Sequence, residues 1–202
     1  MQRHEPYPTL ERQRETDQLG MMLFLGSEIM LFGALFAAAF GLFLQHTPDV
    51  EAASGRLNLW LGGANTIILL TSSLFVALGA EARGPRPRCL VACFLAAALL
   101  GVLFLAIKAL EYAGEYDEGL MPGTAHAHFE SGPQHLFMNL YFAATGLHAI
   151  HLTVGVVLLL FLALRQRRRP ATSAAIENAV LYWHLVDVVW IFLYPVLYLT
   201  RV

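Results

Sequence analysis

The chain has 202 residues, of which 57% are hydrophobic and 14% charged, and a net charge of −2 at pH 7. Soluble domains carry about 25% charged residues, so this composition excludes an ordinary soluble domain and points to one polytopic membrane domain. The Lys and Arg residues sit between apolar blocks, not on a basic patch interleaved with aromatics, which excludes nucleic acid as a partner.

Residues 1–18 are polar, contain Pro6 and Pro8, and read as a solvated N-terminal arm and not a cleavable signal peptide. Residues 19–202 read as one all-α, five-helix membrane domain with spans at about 19–44, 57–80, 89–112, 135–164 and 178–200. At ~1.5 Å per residue, each can cross ~30 Å of hydrocarbon.

The first span carries Glu28 and a stripe of Gly33, Ala37 and Gly41, which predicts close approach of a second helix. Residues 45–56, with Pro48, Asp49 and Gly55, read as a short polar link. The second span carries Asn65, with Trp60 near one end as an interfacial anchor. Glu81–Arg88 breaks helix strongly through Pro85 and Pro87.

The third span opens with Cys89 and Cys93, four apart and without two further soft ligands, so they read as buried free thiols and not as a metal site. It ends with Lys108 and Glu111, an i, i+3 pair predicted to stabilise each other and reach headgroups. The following link, 113–134, is acidic (Glu115, Asp117, Glu118) and then contains His126 and His128, which read as solvated sequence.

In the fourth span Ala144, His148, His151 and Gly155 share one helix face. Arg165, Arg167, Arg168 and Arg169 follow it. In the fifth span His184, Asp187, Tyr194 and Tyr198 share a face, Trp183 reads as an interfacial anchor, and Pro195 is predicted to kink or end the helix.

Lys and Arg counts orient the chain. Ten lie on the side of the N-terminus (Arg3, Arg12, Arg14, Arg83, Arg86, Arg88 and the four after span four) and two on the other (Arg56 and Arg201). This predicts a cytoplasmic N-terminus and an outer C-terminus. At ~1.5 Å per residue, Glu28 and Asp187 then lie ~14 Å from the cytoplasmic ends of their spans, His184 ~9 Å and His151 ~17 to 20 Å.

Ionisable groups at overlapping depths inside lipid need a reason. Three readings stand: a hydrogen-bonded network that fixes helix packing, with His184 paired to Asp187; a protonatable carboxylate at Glu28; and a metal or haem site built on the histidines.

The strings themselves resemble a known family. Tyr182-Trp183-His184-Leu185-Val186-Asp187-Val188-Val189-Trp190 is similar to the last-helix signature of subunit III of the haem–copper oxidases, the cytochrome c oxidase subunit III family. Phe24-Leu25-Gly26-Ser27-Glu28, Ala64-Asn65-Thr66, Lys108-Ala109-Leu110-Glu111-Tyr112 and Thr145-Gly146-Leu147-His148-Ala149-Ile150-His151 resemble its other helices, in order.

The resemblance implies a cofactor-free accessory subunit, with haem and copper in partner subunits I and II. It implies subunit I as main contact, subunits II and IV as further neighbours, and phospholipid in a cleft between helices. Glu28 falls on the family's carbodiimide-type, proton-linked carboxylate, and His148, His151, Trp183, His184, Asp187 and Asn65 are expected as a polar network with lipid contact around it. Against the seven spans of the full-length pattern the first two are absent here, and a neighbouring chain could fill their place.

The expected function is therefore support of a proton-pumping cytochrome c oxidase in a bacterial inner membrane: holding subunit I stable, binding lipid and sustaining proton uptake, with no catalytic centre of its own. A quinol oxidase subunit III and a nitric oxide reductase accessory subunit are the near alternatives. A membrane haem or metal protein using the histidines is the remote one.

Overall fold

A computed structural model describes residues 10–82, 87–121, 131–168 and 173–200. His126, His128, Pro122, Gly123 and the arginines at 3, 83, 86, 169 and 201 lie outside the described residues. The described chain is helical: α1 Leu10–Gln45, α2 Thr47–Ser54, α3 Leu59–Glu81, α4 Pro87–Asp117, α5 Gly132–Arg168 and α6 Ser173–Tyr198. All but α2 are long and apolar enough to cross a membrane, giving the five spans expected.

The helix limits differ from expectation where local chemistry adds turns. Helix α1 begins at Leu10, so the second half of the expected arm is already helical. The link at 45–56 is mostly helix α2, begun by a proline in its first turn, where a missing N–H costs nothing. Its apolar side (Val50, Ala53) and Leu57 just beyond it are buried, and the Ser54 hydroxyl donates to the Leu197 carbonyl at 2.9 Å. Asp49 accepts from the Ser131 hydroxyl, so α2 is tied to the start of α5 and the end of α6.

Helix α3 starts where the Asn58 side chain accepts from the backbone N–H groups of Trp60 and Leu61 at 3.1 and 3.2 Å. Helix α4 runs one turn past the expected end. Gly119, at φ 70°, closes it in a Schellman turn: Leu120 N–H bonds the Glu115 carbonyl and Gly119 N–H the Tyr116 carbonyl. Helix α6 continues for about one turn beyond Pro195 and ends at Tyr198.

The core lies between α3, α4, α5 and α6, with α1 laid on the outside against α6 and α5. Trp183 is fully buried in this core, so its ring is not exposed as the expected interfacial anchor would be. The slot that holds it needs glycine: a Cβ on Gly101 would stand 2.9 Å from the Trp183 ring, and one on Gly155 would stand 3.0 Å from it.

The predicted small-residue stripe is not the face by which α1 packs. Gly33 and Ala37 are exposed, and a Cβ at Gly33 or Gly41 would meet nothing within 4 Å. The packing ridge is Phe24, Glu28, Phe32 and Phe36, also at four-residue spacing. Phe24 stacks on Tyr182, Phe32 meets His151 edge-on and Phe36 meets Phe192. Aromatic rings bury more area than glycines, so they win the contact with α5 and α6.

Candidate functional site

Among the described residues, two polar groupings bear on function. The first is the single polar rung of the α1 ridge. Glu28 Oε2 stands 2.8 Å from His151 Nε2, with both side chains largely enclosed. His151 Nδ1 stands 2.9 Å from the Leu147 carbonyl, which can only accept, so Nδ1 carries a proton. Nε2 then faces Glu28 with either a lone pair or a second proton. Glu28 Oε2 is buried and makes no hydrogen bond of good geometry among the described residues, so the contact is a close polar approach. Tyr182 donates to the His151 carbonyl at 3.0 Å and closes the other side.

The remaining predicted residues do not join this pair. His148 is enclosed between the rings of Phe104 and Trp190, at centroid distances of 5.7 and 5.1 Å, and neither ring nitrogen has a hydrogen-bond partner among the described residues. His184 is half-buried and its Nδ1 lies 2.7 Å from the Ser73 hydroxyl. Asp187 is buried one turn away, 4.0 Å from the same nitrogen. The expected local His184–Asp187 hydrogen bond is thus replaced by one across to α3, because Ser73 reaches the ring first. Asn65 and the Trp183 indole nitrogen are buried without partners among the described residues.

The second grouping was read from sequence only as a pair near headgroups. Lys108 and Glu111 are in fact buried, 3.1 Å apart, in a cluster drawn from three helices. Lys108 also donates to the hydroxyls of Tyr141 at 2.8 Å and Tyr198 at 2.5 Å. Its ammonium lies 4.7 Å from the Tyr141 ring centroid and 5.2 Å from that of Tyr198, within cation–π range. Glu115 accepts from Tyr141 at 2.6 Å, and Tyr112 pairs with Thr145 at 2.5 Å. The extra turn of α4 carries Glu115 into the bundle. A sequence signal was present: Lys108, Glu111 and Glu115 stand at i, i+3 and i+7.

The cysteines are not buried as a pair: Cys89 is exposed and Cys93 half-buried. Among the described residues no group of three or more His, Cys, Asp or Glu side chains is placed to hold a metal ion. The three span histidines are each engaged in different surroundings, on Glu28, on aromatic rings and on Ser73.

Comparison with known proteins gives the architecture a family. The sequence profile of the family described as cytochrome c oxidase subunit III matches residues 11–201. Cytochrome c oxidase subunit 3 of Schizophyllum commune is 36% identical over 193 residues, covering 89% of this chain and 66% of the relative. A probable cytochrome c oxidase subunit 3 of Mycobacterium tuberculosis is 32% identical over 191 residues, covering 91% of this chain and 87% of the relative. Quinol oxidase subunit 3 of Bacillus spizizenii is 31% identical over 197 residues, covering 94% and 91%.

Proposed function

Because the chain belongs to the cytochrome c oxidase subunit III family, we propose that it serves as the accessory third subunit of a proton-pumping haem–copper oxidase in a bacterial cytoplasmic membrane. In this reading the chain holds no redox cofactor, and haem and copper belong to subunits I and II. It packs chiefly on subunit I, with subunits II and IV as further neighbours and phospholipid along its exposed apolar faces. Its N-terminus is cytoplasmic.

The observation that supports this reading beyond the family is the Glu28–His151 contact, a carboxyl and an imidazole enclosed between α1 and α5. We assign the pair a part in keeping subunit I stable and supplied with protons, and no catalytic step.

The electron donor we propose is cytochrome c. A quinol oxidase is the second reading, favoured by the Bacillus spizizenii relative, whose identity to this chain is almost the same as that of the mycobacterial one.

Affinity purification of the chain from mild-detergent membranes tests the assignment. Oxidase subunits I and II are expected in equal stoichiometry with it, and haem and copper are expected to follow them. Recovery of the chain alone, carrying stoichiometric haem or metal, would overturn the proposal. A copper-binding subunit II in the preparation supports cytochrome c as donor, and its replacement by a copper-free one supports quinol.

A further inference from the structure

Hydrogen bonds in the Lys108 cluster leave one group unserved. The donors are three N–H of the ammonium and one O–H each of Tyr141 and Tyr198. Lys108 directs its protons to Glu111 Oε2 and to the two tyrosine oxygens. Tyr198 donates to Glu111 Oε1 at 2.7 Å and Tyr141 to Glu115 Oε1 at 2.6 Å. Every donor is then used, and Glu115 Oε2 is buried with no partner among the described residues. Charge gives the same deficit: one ammonium faces two carboxylates, Glu111 and Glu115, and all three residues are at least nine-tenths buried. An ionised carboxylate with an oxygen facing neither water nor donor is costly in such a setting, whereas the carbonyl oxygen of a neutral acid is far less so.

We propose that Glu115 is a proton-binding site, a carboxyl kept as the neutral acid beneath the Schellman turn that ends α4. One proton from water adds to Glu115 Oε1, forming an O–H bond. That O–H donates to the Tyr141 oxygen, which has a second lone pair beside the one serving Lys108. The Tyr141 hydroxyl turns away from Glu115 towards Glu111 Oε1 at 3.3 Å or the Tyr198 oxygen at 3.1 Å. No electron moves, and the cluster becomes neutral.

The groups facing Glu115 are Lys108, Glu111 and Tyr112 on its own helix, Tyr141 on α5 and Tyr198 on α6, with Glu118 close enough to act on it electrostatically. Glu118 adds negative charge and so favours the neutral acid. Tyr141 thus has an acceptor on either side, and the same heavy-atom positions serve both proton arrangements. This site lies at the α2 end of the bundle and is separate from the Glu28–His151 pair.

Comparing Glu115→Gln with Glu111→Gln in the full chain and in the assembled complex tests the proposal. Glutamine mimics the neutral acid, so Glu115→Gln is expected to assemble and to keep its thermal midpoint within about 2 °C of wild type. Glu111→Gln removes the countercharge of a buried ammonium and is expected to lower the midpoint by on the order of 10 °C or to block assembly. Infrared spectroscopy should show a protonated-carboxyl band that disappears in Glu115→Gln and survives in Glu28→Gln. If Glu115→Gln fails to assemble, loses as much stability as Glu111→Gln, or leaves that band unchanged, Glu115 is an ionised partner of Lys108 and the proposal is wrong.

Discussion

At the scale of single residues, the contact between Glu28 and His151 carries the clearest functional consequence. A carboxyl and an imidazole stand 2.8 Å apart between α1 and α5, with the other ring nitrogen committed to a backbone carbonyl. Glu28→Ala removes the carboxyl and leaves His151 facing a gap. We expect electron transfer in the complex to stay near its wild-type rate while working lifetime shortens or the subunit is lost on purification. His151→Ala should behave alike. Unchanged lifetime, proton pumping and subunit retention in Glu28→Ala would end this assignment. The sequence placed Glu28 and the fourth-span histidines at similar depth. It did not say which histidine would meet Glu28, because His148 and His151 stand three residues apart on nearly the same face and the rotation of α5 decides. His148 went instead to the aromatic cage of Phe104 and Trp190.

At the scale of elements, glycines distinguish buried contacts from open ones. The nearest atoms to a Cβ on Gly101 would be Val156 at 2.7 Å and Trp183 at 2.9 Å, both side chains of the core. Gly101→Val should therefore overpack the Trp183 slot and cost about 1–3 kcal/mol. Thermal unfolding of the full chain in detergent would record this as a lowered midpoint. Gly33→Ala meets nothing within 4 Å and should leave the chain's own stability unchanged or slightly raised. Equal losses from the two substitutions would mean that α1 packs by its glycine stripe after all. Helix α2 makes a separate prediction. Asp49→Ala removes the acceptor of Ser131 and should loosen α2 from α5, seen as faster proteolysis between α1 and α3. Sequence reading took this segment as a link because eight residues with a proline carry too little apolar periodicity to stand out, and its stability comes from the helices it covers.

At the scale of the whole molecule, coverage is uneven. Only 11% of the most apolar stretch of α1 is buried by this chain, against 39% for α4 and for α5. Few buried contacts mean a low local cost of opening. Hydrogen–deuterium exchange on the purified full chain should be faster along α1 than along α4, and the difference should shrink in the assembled oxidase. Equal protection in the free chain would count against α1 as the lightly held element.

Hydrophobic run length determined five spans from sequence alone, since ~20 apolar residues can do little else in a chain this poor in charge. The family, too, was legible in the ordered strings of all five spans. What only the tertiary structure decided was pairing. Helix rotation and the extra turn of α4 chose His151 for Glu28, Ser73 for His184, and a buried tyrosine cage for Lys108, Glu111 and Glu115. A one-dimensional pattern gives the depth and face of a residue, whereas its partner depends on which helices touch and at what angle, and side-chain volume across the whole bundle sets that.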